Sequence, residues 1–390
     1  MKILFLSRWF PFPSDNGSKL RIYNLLRGLS QYHDVTLLSF ADQPGVNPEA
    51  PEVQEIYSQV NVIPWKEFDP YTLHARLGIF SSKPRSIVDT FSPEMEQAIS
   101  KTLDKQAYDL IIASQWQMAA YYPYFSNIPA VFEEIEIGYF HDQAFSPDGK
   151  IRLRQALTWF KLRMYLARLL DAFQACTVVS GRERQLLVQN FPAFKKQIEI
   201  IPNCLDMDEY NVVKADKIEN TLIFSGSFKY GANYEAMLWF IGEVFPLIQE
   251  RVPGTQLIIT GDHGSLPLQS SKNITLTGFV DDIKSLVASC SVSIAPLLSG
   301  GGTRLKILEA MALGTPVVAT SKGAEGLDVT DNEHLFIANS PAEFAGCVIK
   351  LLGDENKRLQ MAEKARMLVW EKYNWGNALS AYSRLINTLV

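Results

Sequence analysis

The 390-residue chain predicts an α/β architecture of two doubly wound, Rossmann-like domains facing a cleft. Two observations carry that reading. Short apolar runs of strand length alternate with segments of helical periodicity, the pattern of a parallel sheet covered on both faces. The rhythm then passes through a polar stretch, 206–220, and restarts, so the series occurs twice. Composition agrees: 47% hydrophobic and 20% charged residues supply apolar material for sizeable cores.

The first series opens with Ile3–Ser7, an apolar run closed by the turn residues Pro11, Pro13, Asn16 and Gly17. Leu20–Leu29 then repeats at helical spacing. Further strands are expected at Val35–Phe40, Val60–Pro64, Leu110–Ala113, Ala130–Phe132, Ala175–Val179 and Ile198–Ile201. The second series has strands at Thr221–Ser225, Gln256–Thr260, Ile274–Leu276, Ser291–Ala295 and Pro316–Thr320. Its helices fall at Tyr234–Glu250, Asp282–Ser289, Thr303–Leu313, Pro341–Leu352 and Asn356–Lys372. The expected domains are 1–205 and 206–374, with 206–220 as linker. A last helix, 375–390, is expected to return to the first domain.

Charge and motif content exclude several classes. With 37 basic and 42 acidic residues the net charge is -5, so nothing attracts a nucleic acid in bulk and anion binding needs a local pocket. Five histidines and four cysteines show no metal-ligand spacing, so no metal is expected, and the cysteines read as reduced thiols. There is no GxxxxGK[ST] segment and no GxGxxG after the first strand, which argues against a P-loop nucleotidase and a dinucleotide oxidoreductase. The apolar run Ile3–Leu6 is too short for a signal-peptide core, and no run reaches the ~18 residues of a spanning helix. A cytoplasmic location is expected, free or on the inner face of the cell membrane.

In open parallel sheets ligands sit where strands end and helices begin. The richest such junction is Ala295–Gly314. A strand ends, Gly300, Gly301 and Gly302 follow, and a helix starts near Thr303, with Arg304 and Lys306 beside its positive dipole end. Cations there oppose the dipole, so the arrangement points to a polyanion, most simply a diphosphate; a flexible loop with solvated basic side chains is the alternative. Glu309 reads either as an acceptor for a sugar hydroxyl or as an i, i+3 partner of Lys306. Gly226, Ser227, Phe228 and Lys229 form a weaker glycine turn at another strand end. Asn16, Gly17 and Ser18 form a third, with Lys19 and Arg21 near; by itself it is an ordinary helix entry with Ser18 as cap. Lys150–Phe173 carries six basic residues, one acid and four aromatics. It reads as a contact for an anionic lipid surface or as a packing helix with a solvated basic face.

Taken in order, these segments resemble the family-4 glycosyltransferases of the GT-B fold, over nearly the whole chain and most densely from Ile201 to Leu327. Ile201-Pro-Asn-Cys-Leu-Asp206 resembles the family's Ile-Pro-Asn-Gly-Val-Asp, and Phe224–Glu235 its phosphate-loop strand and turn. Leu276-Thr-Gly-Phe-Val280 resembles its nucleobase segment, and Gly300–Gly314 its diphosphate and ribose segment. Thr315–Thr320 and Gly323–Leu327 fit the strand and loop that follow.

The resemblance implies retaining transfer of a sugar from a nucleoside diphosphate sugar, without cofactor or metal. The acceptor is a glycan, a lipid-linked molecule or a small molecule, as in polysaccharide biosynthesis. Lys229, Arg304 and Lys306 would hold the diphosphate and stabilise the leaving group. Gly226, Ser227, Gly301, Gly302 and Thr303 would line the donor. Glu309 would bind the ribose, and Phe279 and Val280 the base. Gly17 and Ser18 would approach the reacting centre. Two departures stand out. Gly301 occupies the place of the first of two family glutamates, and Val131–Gly138 lacks the family histidine. Glu134, or its neighbours Glu133 and Glu136, would then supply the polar contact, because His141 matches that position poorly. The rival functions are a nucleotide-sugar epimerase or hydrolase and a sugar-nucleotide-binding protein without turnover.

Overall fold

The computed structural model describes residues 1–43, 45–125, 127–145, 153–264, 266–302 and 304–390. It divides into two units: Met1–Asn203 with Ala378–Val390, and Cys204–Asn377.

Among the described residues of the first unit, seven strands form one sheet in the order β3-β2-β1-β4-β5-β6-β7. They are β1 (Lys2–Ser7), β2 (Asp34–Ala41), β3 (Gln59–Pro64), β4 (Leu110–Ser114), β5 (Ala130–Ile135), β6 (Ala175–Val178) and β7 (Gln197–Ile200). Every pairing is parallel. The order reverses between β1 and β4, as in a doubly wound sheet. Successive side chains point to opposite faces, so Leu4 and Leu6 join one core with Leu38, Phe40, Ile111 and Phe132, whereas Ile3 and Phe5 are buried on the other side. The helix Gly17–Ser30 lies close to the chain's last helix. A Cβ on Gly28 would come 2.3 Å from Leu379, so only glycine admits this approach without repacking.

The second unit holds β8 (Ile218–Ser225), β9 (Gln256–Thr260), β10 (Ile274–Gly278), β11 (Cys290–Ala295), β12 (Val317–Ala319) and β13 (Phe336–Ile337). Its sheet runs β10-β9-β8-β11-β12-β13, again parallel throughout. Strand alternation splits its core in two. Leu222, Phe224, Leu257 and Ile259 serve one face, while Ile223, Ile258, Val317 and Ala319 serve the other. Apolar runs without polar gaps are therefore what this sheet requires.

The stretch 206–220 is not a free linker. Met207–Asn211 is a helical turn, Met207 and Tyr210 are buried, and β8 already starts at Ile218. Polar residues mask it because Asp206 is spent on capping the turn, accepting from the Asp208 N–H at 3.3 Å. β13 is only two residues long, too short to show a period. The helix expected over Tyr234–Glu250 runs as Gly231–Trp239 and Phe245–Arg251 around a wide turn at Phe240–Val244, because Pro246 has no N–H to return. From Ala378 onward the terminal helix Trp375–Asn387 belongs to the first unit, where Tyr382, Leu385 and Ile386 are buried.

Ile386 is wholly buried, so Ile386→Ala is expected to cost about 2–5 kcal/mol of first-unit stability. Urea unfolding of the full chain, followed by a probe in the first unit, measures it.

Candidate functional site

In the second unit three glycines cluster at the carboxyl ends of adjacent strands. A Cβ on Gly261 would lie 2.1 Å from the Gly226 carbonyl oxygen, and Gly261 has φ +107°, so neither the space nor the backbone admits a side chain there. Its N–H donates to the Gly278 carbonyl at 2.7 Å. The ends of β8, β9 and β10 are thus drawn together. Phe279, 82% exposed, and Val280 follow the end of β10.

Lys306 lies in the first turn of the helix Leu305–Ala312 and points back to β8. Its ammonium donates to Asn233 Oδ1 at 2.9 Å and sits 4.1 Å from the centroid of the Phe224 ring. Asn233 in turn donates to the Ser227 carbonyl at 2.6 Å, fixing its amide. A Cβ on Gly226 would come 2.6 Å from the Lys306 nitrogen, so this glycine makes the room that the ammonium uses. Burial pushes the Lys306 pKa down to about 7, helped by the nearby charge of Arg304 and opposed by Glu309. An ammonium so weakened gains most from an anion brought beside it.

Arg304 is the cap residue of that helix rather than part of its first turn. It is buried, and its Nη1 donates to the Gly301 carbonyl at 2.9 Å. Its Nε has no hydrogen-bond partner among the described residues. The glycine loop is braced from outside: the Gly301 N–H donates to the Tyr230 hydroxyl at 3.0 Å. Gly300, at φ +98°, passes so close to Tyr230 that a Cβ would lie 2.0 Å from its hydroxyl. Gly302 is exposed, and Thr303 lies outside the described residues. Glu309 does not pair with Lys306; it accepts from the Tyr210 hydroxyl at 3.3 Å. Burial raises its pKa, while Tyr210 and Lys306 hold it back. Lys229 is exposed and is not brought into the Lys306 cluster. Gly226, Ser227, Gly301, Arg304 and Lys306 are therefore assembled together, with Glu309 one helical turn beyond.

In the first unit the candidates converge on the carboxyl ends of β4 and β5. β5 changes register against β6 between Phe132 and Ile135, a bulge that turns the intervening carboxylates. Glu133 is fully buried and accepts from Arg21 Nε at 2.8 Å, Arg21 Nη2 at 2.6 Å and Ser114 Oγ at 3.1 Å. Arg21 also donates to the Ile201 carbonyl at 2.8 Å and to Asn203 Oδ1 at 3.1 Å. Glu134 takes φ +61° and accepts from Gln115 Nε2 at 2.9 Å, and Gln115 itself has φ +66°. Two non-glycine residues in the left-handed region, each costing on the order of 1–3 kcal/mol and in contact with one another, mark a position the fold maintains at some expense. Burial and the charge of Glu133 raise the Glu134 pKa well above the ordinary carboxylate range, against the pull of Arg21.

Gly17 begins the helix Gly17–Ser30, but the cap is Asn16, whose side chain accepts from the Lys19 N–H at 3.1 Å; Ser18 lies inside the helix. The cations expected beside Gly17 and Ser18 are already engaged: Lys19 with Asp42 at 2.8 Å and Asp15 at 3.1 Å, Arg21 with Glu133. They are structural pairs, not an open anion nest. His141 packs edge-on to Trp159. Among the described residues no group of three or more His, Cys, Asp or Glu side chains could hold a metal ion. The sequence reading missed Arg21, Ser114, Gln115, Asn203, Asn233, Tyr210 and Tyr230 as site residues. Arg21 stood beside the Gly17 turn, Asn203 inside the Ile-Pro-Asn segment, and Tyr230 and Asn233 inside Phe224–Glu235; Ser114, Gln115 and Tyr210 carried no signal.

Two family models match the chain: Glycosyltransferase Family 4 over residues 16–209 and Glycosyl transferases group 1 over residues 219–354. An uncharacterized 44.6 kDa protein of the cps region of Klebsiella pneumoniae is 25% identical over 179 residues, covering 43% of this chain and 46% of that protein. The chain spans 46%, 32% and 53% of the length of three curated relatives it matches. Sucrose-phosphate synthase of Thermosynechococcus elongatus superposes with a TM-score of 0.71 at 16% identity, covering 100% of this chain and 99% of that one. HepE of Anabaena, solved with UDP and glucose, superposes with a TM-score of 0.64 at 17% identity over the whole of both chains. Such likeness establishes the GT-B fold.

Between about pH 7 and the ordinary lysine value, Lys306 is neutral in the folded chain and protonated in the unfolded one, so stability should rise with pH there and be flat in this contribution below pH 7. Subtracting the urea-unfolding free energies of Lys306→Met from those of the parent across pH 6–10 isolates that slope; a difference that does not rise with pH contradicts the assigned environment.

Proposed function

The chain belongs to the family-4, group 1 glycosyltransferases of the GT-B fold, and from that premise we propose that it moves a sugar from a nucleoside diphosphate sugar to a glycan, lipid-linked or small-molecule acceptor with retention at the anomeric carbon. One observation carries the donor half of this reading. Lys306, held by Asn233 and Phe224, and Arg304, bonded to the Gly301 carbonyl, bring two cations to one glycine loop. HepE, with the same fold, is described in complex with UDP and with UDP-glucose, which supports a nucleotide sugar as donor.

In this reading the sugar's anomeric carbon–oxygen bond breaks and the electron pair leaves with the diphosphate. The acceptor hydroxyl attacks from the same face, and its proton passes to the departing phosphate oxygen. Arg304 and Lys306 meet the developing charge, already oriented before the reaction begins. Lys306 gains a proton as the diphosphate arrives, because the anion's charge favours the ammonium and offsets the desolvation that lowers its pKa. Glu309, half-buried and oriented by Tyr210, binds the ribose. Glu134 stands where the family histidine is absent. Held protonated near neutrality, it serves as a hydrogen-bond donor to a substrate oxygen rather than as a base. No metal enters this scheme, and chelation is expected to leave the rate unchanged.

Three experiments test it. UDP and GDP affinities measured by calorimetry should fall at least ~100-fold in the double variant Arg304→Ala, Lys306→Ala, since each lost charged hydrogen bond is worth about 1.5–3 kcal/mol. Binding by the parent at pH 8 should take up a proton, detectable as a heat that depends on the buffer's ionisation enthalpy. At pH 6 that uptake should vanish, because Lys306 is already protonated. Unchanged affinity in the folded double variant removes the donor site. For Glu134, replacement by Ala should lower kcat by about 10²–10³ with donor affinity retained, whereas Gln, which keeps a donor, should stay within about tenfold of the parent. Equal losses in the two variants contradict the donor role.

A further inference from the structure

We propose that the first unit carries a docking surface for an anionic lipid bilayer, built from residues 71–83 and the outer face of the helix Leu153–Ala172. The observation behind it is a helix with two apolar faces. Trp159, Leu162, Leu166 and Leu169 are buried and supply the core side. Leu157, Phe160 and Met164 recur at helical spacing on the opposite side, and all three are exposed. Folding needs one apolar stripe, so the second has no use within the unit.

This stripe is continuous with a second exposed apolar segment. The Lys161 ammonium donates to the Gly78 and Ile79 carbonyls at 3.1 and 2.6 Å, and Arg168 Nη1 donates to Ser82 Oγ at 3.0 Å. These bonds fix residues 78–82 against the helix. Leu73, Leu77 and Phe80, the last 89% exposed, therefore extend the same patch.

Charge selects the occupant. Residues 70–86 contain Arg76, Lys83 and Arg85 and no acid, and the helix contains Arg154, Lys161, Arg163 and Arg168 against Asp171 alone, in a chain of net charge -5. The hydrogen bonds these cations make are to neutral oxygens: Arg85 to the Ala75 and Pro70 carbonyls, Arg163 to the Asn190 carbonyl, Lys161 and Arg168 as above. Their positive charge is left for a partner. A second copy joined through this patch would set the same cations against one another, whereas an anionic bilayer receives the apolar side chains between its headgroups and the cations at its surface.

Flotation of the full chain with vesicles of phosphatidylcholine, with and without phosphatidylglycerol, tests the proposal. The parent is expected to float with the anionic vesicles, at least about tenfold more than with phosphatidylcholine alone, and less as salt is raised. Leu77→Asn, Phe80→Asn, Phe160→Asn should lower the partition coefficient at least about tenfold. Arg76→Gln, Lys83→Gln, Arg154→Gln should lower it about fivefold per charge. All six positions are exposed, and unchanged melting temperature and UDP affinity show that the variants remain folded and that the donor site is untouched. Three results overturn the proposal: no preference for anionic vesicles, flotation of both variants equal to the parent, or a parental dimer in sedimentation that the apolar variant dissociates.

Discussion

The first unit is organised around one buried ion pair. Arg21 projects from the helix after β1, meets Glu133 at the end of β5, and spends its remaining donors on the Ile201 carbonyl and Asn203. Two distant parts of the chain, at Glu133 and at Ile201 and Asn203, are fixed to one guanidinium. Its planar fork permits this, since five N–H donors in a rigid frame can serve several acceptors at once. Such a pair need not add net stability over a hydrophobic core, but removing either partner strands a charge in the interior at a cost of about 3–5 kcal/mol. The neighbouring Glu134 depends on it. Burial, and then the neighbouring charge of Glu133, raise the Glu134 pKa against the pull of Arg21.

The same logic, with opposite sign, governs the second unit. Lys306 is desolvated beside Arg304, so its charge is weakened until something negative arrives. The surrounding groups hold it without neutralising it: an amide oxygen and an aromatic face orient the ammonium, and among the described residues no carboxylate is bonded to it. The cluster places positive charge locally in a chain whose net charge is -5. It also separates the two basic features of the molecule. Arg304 and Lys306 are enclosed by the glycine loop and β8, whereas the cations around residues 71–83 and 153–172 lie on an exposed surface.

Much of the fold was legible in the chain because a parallel sheet buried on both faces demands unbroken apolar runs, and those runs are local. The strands beginning at Ile3, Thr221 and Ser291 fall where the apolar runs place them, within a few residues at their starts. The stretch 206–220 was misread because its turn is built from a cap and two buried side chains, which leave no period. The grouping of Gly301, Arg304 and Lys306 was legible because the three stand within six positions at one strand-to-helix junction. Lys229, equally basic, could not be told from Lys306 by sequence, since what distinguishes them is which one the helix Leu305–Ala312 turns toward β8.

By itself, then, the sequence determined two parallel sheets, the glycine loop before Arg304, and the absence of a histidine from Val131–Gly138. Tertiary structure decided what those parts do together. It engaged Lys19 and Arg21 in ion pairs, gave Glu309 to Tyr210, and set Gln115 and Glu134 in contact with positive φ angles. The reason is physical. Periodicity and turn chemistry act over a few residues, whereas pKa values, backbone strain and ion-pair partners are set by groups brought close from sites tens to hundreds of positions apart.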